Sequence, residues 1–151
     1  MTTLDPRLHA IRPDLADIAL AGQIEGRALV SPHRMQIIEP VVAVHKAPRF
    51  DAMQLTQGLM GETVKVYAEE EGWAWVQLER DGYVGYVNAN ALSAEILVPT
   101  HRVAVPSTFL YSGPNLKSQP AIILTLNARV AVTEHDEKFA RLSNGWFIFT
   151  A

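Results

Sequence analysis

Apolar and polar residues alternate with a period of two along most of the chain. Val64 and Val66 flank Lys65, Val130 and Val132 flank Ala131, and Ala74, Val76 and Leu78 interleave with Trp73, Trp75 and Gln77. This period puts successive side chains on opposite faces of an extended backbone, so these stretches predict half-buried β-strands. Turn-forming residues punctuate them at Ala47-Pro48-Arg49, Gly61-Glu62, Glu71-Gly72, Asp81-Gly82, Ser112-Gly113-Pro114-Asn115 and Asn144-Gly145. Asp-Gly and Asn-Gly are strong hairpin dipeptides, because a tight two-residue turn needs positive φ at both central positions. Short strands joined by such turns predict small barrels, in which closure removes the exposed edges that invite aggregation.

The strand pattern starts near Met35. Upstream, Pro13 suits a first helical position, Asp14 the first turn and Gly22 a C-terminal stop, with Leu15, Ile18 and Ala19 at helical spacing, so one short helix is expected there. Residues 23–35 read as an extended arm. A helix this short needs packing to persist, so the arm either clasps the barrels or serves as a tail for a partner.

The strand blocks occur twice. Val42-Ala43-Val44, GETVKV (61–66), GWAWVQ (72–77) and DGYVGYV (81–87) are answered in order by Val103-Ala104-Val105, LNARVAV (126–132), KFARL (138–142) and NGWFIF (144–149). The expected organisation is an N-terminal arm over 1–34 and two tandem SH3-like barrels over 35–96 and 97–151, joined at Val98-Pro99-Thr100. Units of this size bury only about 60% of their chain surface and are marginal alone. The first copy continues into NANAL (88–92), whereas the second stops shortly after NGWFIF, so the second barrel is expected to be C-terminally truncated and to lack its closing element.

Composition narrows the function. The 151 residues are 48% hydrophobic and 19% charged, with 13 Lys and Arg against 16 Asp and Glu, a net charge of −3. Nucleic-acid binding depends on clustered cations that neutralise phosphates, and the basic residues here are scattered, so no nucleic-acid partner is expected. There is no cysteine, which excludes disulfides, CxxC metal sites and a thiol nucleophile. No secretory signal or membrane-length apolar run is present, so no membrane association is expected. The chain as written reads as cytoplasmic, or as periplasmic or secreted if a signal has been removed. His9, His33, His45, His101 and His135 lack metal-ligand spacing, no serine sits in a GxSxG elbow, and Glu69-Glu70-Glu71 reads as a solvated loop. No metal and no cofactor are implied.

GxxVxV, GWxxVQ and DGYVGYV followed by NANAL resemble a bacterial SH3 domain, and the second copy resembles a diverged one. LDPRLHAIRPDLAD (4–17) and PTHRVAVPSTFLYSGPNLKSQP (99–120) are similar to the N-terminal half of NlpC-type cell-wall cysteine peptidases, the γ-D-glutamyl-diamino-acid endopeptidases. In that family a papain-like catalytic domain follows the SH3 pair. The resemblance therefore implies a non-catalytic targeting and substrate-gating module whose partners are peptidoglycan stem peptides, such as L-Ala-γ-D-Glu-diamino acid, and a downstream catalytic domain. Without cysteine this chain should not cleave peptides itself. The alternative is a protein-interaction module that docks onto a partner or catalytic domain without binding murein.

Trp73, Trp75, Tyr83 and Tyr86 crowd around one expected hairpin, and amphipathic aromatics commonly line ligand grooves. By the resemblance Trp73 packs the barrel core, whereas Trp75 occupies a position usually polar and exposed. The resemblance also places Tyr83 toward the catalytic cleft, where it would help recognise the free amine of a stem peptide with Asp81 as charge partner. The candidate substrate-binding residues are Tyr83, Trp75, Asp81 and Tyr86. Asp81 can equally be a turn former, and Trp75 a contact between barrels.

Overall fold

The structure, a computed structural model, describes residues 4–114 and 120–150. The fold is mainly β and forms two compact units: residues 1–37, 42–58 and 62–96 make the first, and 38–41, 59–61 and 97–151 the second.

The first unit contains β1 (Leu15–Asp17), a 3-10 turn (Ile18–Leu20), β2 (Ala28–Val30), β3 (His33–Ile37), β4 (Val41–His45), β5 (Gln54–Leu59), β6 (Thr63–Glu70), β7 (Trp73–Leu78) and β8 (Val84–Asn88). A second 3-10 turn (Ala89–Ala91) and β9 (Leu92–Ser93) follow. β3 to β9 curl into one sheet with the order β5-β4-β8-β7-β6-β3-β9. Its core holds Ile37, Val42, Val44, Val64, Val66, Ala74, Val76, Leu78, Val87 and Leu92. Ala74, Val76 and Leu78 point inward together, as strand alternation requires. Gly82 has φ +79° and its counterpart Gly145 φ +89°, but Asp81 and Asn144 keep negative φ, so the tight turn with both central residues left-handed forms instead at Glu71-Gly72, at +50° and +83°.

The helix expected from Pro13 to Gly22 shrinks to one 3-10 turn. Leu15–Asp17 instead pairs in parallel with Ala28–Val30. Asp17 explains the difference locally, because its side chain accepts from the Ala19 amide at 2.9 Å and caps the 3-10 turn. A few apolar residues at helical spacing cannot outweigh pairing that also docks the segment on the barrel.

The second unit contains β10 (His101–Arg102), β11 (Ser107–Tyr111), β12 (Pro120–Thr125), β13 (Arg129–Val130), β14 (Val132–His135), β15 (Phe139–Leu142) and β16 (Phe147–Phe149). Its sheets run β12-β11-β16-β15-β14 and β10-β13. This repeats the first unit's order, with β13 and β14 together standing where β6 stands. Three of the four matched sequence blocks fall on corresponding strands. The fourth does not: Val42 to Val44 lie in β4, whose counterpart is β11, whereas Val103 to Val105 follow β10. Val103 is buried just after its strand, as Ile37 is at the end of β3, so the Val-Ala-Val alternation recurs at positions that are not structurally equivalent.

Candidate functional site

On β7 the residues that do not face the core, Trp73, Trp75 and Gln77, line the outer face of the sheet. Tyr86 is the cross-strand partner of Trp75 and lies beside it. Tyr67 reaches the outer face by simple alternation with Val66, and the register shift between Val66 and Ala68 brings Ala68 to the same face opposite Trp75. In a bare barrel this face would be wet. Here the N-terminal segment covers part of it: Ala10, Tyr67, Trp75 and Val84 form a second small core, with Leu15, Ala68 and Tyr86 packed against it.

Backbone and side-chain hydrogen bonds hold this strap. The Val84 amide donates to the Arg7 carbonyl at 2.8 Å, and Gln77 Nε2 donates to the Leu8 carbonyl at 3.0 Å. The Tyr67 hydroxyl donates to Asp17 Oδ2 at 2.7 Å in a buried contact. Burial first, then that hydrogen bond and the Asp17 charge, push the Tyr67 phenol above its usual range. A phenol held neutral in the fold stabilises the protein fully below the unfolded tyrosine range, near pH 10, and that contribution fades as pH rises above it. Tyr67→Phe should therefore cost about 1–3 kcal/mol at neutral pH, because Asp17 loses a donor while remaining buried. It should also flatten the alkaline loss of stability. Urea melts of both proteins between neutral pH and pH 11 check this; parallel curves would disprove the linkage.

Beyond the strap's edge a groove of about 440 Å³ remains open, bounded by Arg12, Asp14, Pro48, Glu70, Trp73 and Tyr86 among others. Arg12 is its organising cation. Its guanidinium carbon lies 4.8 Å from the centroid of the Trp75 ring, Nη1 donates to the Tyr86 hydroxyl at 3.4 Å, and Nε and Nη2 grip Asp14 at 2.9 and 2.6 Å. Glu70 lies 3.7 Å away. The Asp14 hydrogen bonds raise the Arg12 pKa further above its already high value and hold the Asp14 carboxyl below its usual range. Trp73 forms the aromatic wall, edge-on to His45 at 5.6 Å and tilted against Phe50 at 4.8 Å, a residue 74% exposed.

The two tryptophans exchange their expected settings. Trp75 is only 4% exposed, and Trp73 is half-buried and lines the groove. Both have the parity of the outer face, so Trp73 does not join the core of Ala74 and Val76, and the strap reaches far enough to cover Trp75. Trp75 and Tyr86 come together. Asp81 and Tyr83 do not join them: Asp81 is exposed in the hairpin turn, where its Oδ1 accepts from the Tyr83 amide at 3.1 Å, as a turn former does. Tyr83 packs against the inner core, on the opposite face of the sheet from Tyr86. Sequence reading passed over Arg12, Asp14, Asp17 and Tyr67, which meet only in three dimensions. The one local hint was the charge pair around Pro13.

Among the described residues no group of three or more His, Asp or Glu side chains is arranged to hold a metal ion, and no helix is long and apolar enough to cross a membrane.

No curated protein sequence matches the chain. Among solved structures it is similar to an NlpC/P60 family protein from Bacillus cereus ATCC 10987, with 19% identity over 77% of this chain and 53% of that one, at a TM-score of 0.58. NlpC2 and NlpC1 from Trichomonas vaginalis match 81% and 82% of the chain and 46% of their own lengths, with identities of 17% and 18% and TM-scores of 0.39. The chain thus spans about half the length of the solved structures it matches. The likeness to the Bacillus cereus protein is one of fold. Residues 44–92, from β4 to β9, match the family model described as the bacterial dipeptidyl-peptidase Sh3 domain.

Proposed function

We propose that the chain is a non-catalytic targeting and substrate-gating module of a peptidoglycan stem-peptide hydrolase, and that it recognises peptides such as L-Ala-γ-D-Glu-diamino acid. The observation that carries this reading is the groove beside the strap, where Trp73 and Tyr86 offer apolar walls and Arg12, Asp14 and Glu70 offer fixed charges. A stem peptide is short and extended and bears both an amine and carboxylates, so a narrow groove with both signs of charge suits it. The match of residues 44–92 to a dipeptidyl-peptidase Sh3 domain supports the same reading. Asp81 and Tyr83 would contribute from the hairpin turn, as a second contact for a longer ligand. A catalytic domain would supply the cysteine that this chain lacks.

Calorimetric titration of L-Ala-γ-D-Glu-diaminopimelate into the chain tests the proposal. Trp73→Ala should weaken binding by about 1–3 kcal/mol, and Tyr83→Ala should do so only if the turn takes part. Wild-type affinity in a folded Trp73→Ala variant would remove the groove from recognition, and no binding by the wild type would remove the murein reading.

One observation favours a protein-interaction role instead. Phe109 and Ile123, cross-strand partners on the second unit's five-stranded sheet, are 44% and 52% exposed, and exposed apolar patches mark docking surfaces.

A further inference from the structure

The five-stranded sheet of the second unit is apolar on both faces. On the inner face Leu110, Leu124 and Leu142 build the core, with Ile148 packed against them. The outer face carries rings. Strand alternation and the cross-strand pairs Phe109 to Ile123, Tyr111 to Phe147 and Phe139 to Phe149 put these side chains on it together. The rings form a continuous ladder, with centroids 6.2 Å apart from Phe109 to Tyr111, 6.1 Å from Tyr111 to Phe139 and 5.5 Å from Phe139 to Phe149.

An antiparallel sheet with one wet face alternates apolar and polar residues, whereas strands covered on both faces read as near-continuous apolar runs. Phe109-Leu110-Tyr111 on β11 and Phe147-Ile148-Phe149 on β16 are runs of the second kind. In the first unit the matching cross-strand pair, Trp75 with Tyr86, has its cover within the chain, the strap. In the second unit Phe109 and Ile123 remain 44% and 52% exposed on the outer face. Beside the ladder stand one cation and one anion, cross-strand neighbours: Arg141 Nη1 lies 3.4 Å from Glu134 Oε1, and both side chains are exposed.

We infer that this outer face docks on the same face of a second copy of the chain, sheet against sheet about a two-fold axis. Two twisted antiparallel faces pack about 10 Å apart with their side chains interdigitated, and rings at alternate positions suit that packing. A two-fold interface must be complementary to itself. This one is, because rings meet rings and Arg141 can turn from its own Glu134 to the partner's Glu134 with no like charges apposed. A charge pair that sums to zero offers a strongly charged partner no advantage. The ladder crosses only strands β11, β16 and β15, with Ile123 of β12 at its edge, so the contact falls at the small end of protein interfaces and the dimer is weak. A dimer holds two first-unit grooves together, so a polymer that repeats its stem peptide would be bound with avidity. That consequence, unlike the contact itself, rests on the murein reading.

Sedimentation equilibrium of the 151-residue chain, from micromolar to near-millimolar concentration, tests the inference. Reversible dimers are expected. Phe109→Asp and Ile123→Asp should each weaken dimerisation about tenfold or more, because each puts a charge into the apolar contact. Arg141→Glu and Glu134→Arg should each weaken it less. An equimolar mixture of those two variants should associate as well as the wild type, since every pair across the axis is then of opposite sign. The rescue compares surface variants with each other, so it decides the matter even if an aspartate variant misfolds. A chain that stays monomeric throughout, dimers unchanged in folded Phe109→Asp and Ile123→Asp variants, or a mixture of charge variants that associates no better than either alone would each overturn the inference.

Discussion

Trp75→Ala should destabilise the first unit by about 3–5 kcal/mol, the range for deleting a large buried aromatic side chain. Trp75 holds three things at once. It fills the small core with Ala10, Tyr67 and Val84, packs at a tilt against Tyr67 with ring centroids 5.6 Å apart, and carries the Arg12 guanidinium on its face. Removing it opens a cavity under the strap and leaves Arg12 without its aromatic surface. The barrel core is built by the opposite face of β7 and does not include Trp75, so the strap should loosen before the barrel does. Trypsin should therefore cut first after Arg7, since the bond after Arg12 is protected by Pro13, while chemical melts give the loss in stability. Trp75→Phe should recover more than half of it, because a ring of similar shape still fills the space. A loss below about 1 kcal/mol for the alanine variant would mean that the strap is not held by this residue.

Gly85→Ala should cost about 3 kcal/mol, the upper end for an overpacked core, although it adds a single methyl group. Gly85 is buried on β8 between β7 and β4. A Cβ there would sit 2.6 Å from Val44 Cγ1 and 2.8 Å from the His45 carbonyl oxygen. The valine could turn aside, but the carbonyl belongs to β4, which meets β8 at the pairing of His45 with Tyr86 and closes the barrel. Relief would therefore require the two strands to part. The measurement is the denaturation midpoint. A midpoint within experimental error of the wild type would show that β4 and β8 approach each other less closely than described.

Much of the barrel was legible in the sequence because its signals are local. The alternation at Val64 to Val66 and at Ala74 to Leu78 specifies which face is buried whatever lies across from it, and Gly82 and Gly145 mark turns whose backbone other residues resist. The strap was not legible for the opposite reason. Leu15, Ile18 and Ala19 carry a weak helical spacing, and the pairing of β1 with β2 and the contact of Asp17 with Tyr67 depend on residues far along the chain. The site failed in the same way. Clustering in sequence grouped Asp81 and Tyr83 with Trp75 and Tyr86, but the pleat sends Tyr83 and Tyr86 to opposite faces, and the residue that organises the groove, Arg12, comes from outside the hairpin. Trp75 reads as an exposed position only until the strap that covers it is known.

The strap also fixes an order of events during synthesis. Asp17 meets Tyr67 across 50 positions, Gln77 meets Leu8 across 69, and Arg12 meets Tyr86 across 74. Translation proceeds from the N-terminus, so Leu8, Arg12 and Asp17 leave the ribosome well before any of these partners exists. Until then Ala10 and Leu15 have no apolar surface to cover, and Arg12 and Asp17 stay in water with each other's neighbours for company. The first part of the unit to be made is thus the last that can settle. A nascent chain arrested before Tyr86 has emerged still lacks the hydroxyl that Arg12 bonds in the finished unit.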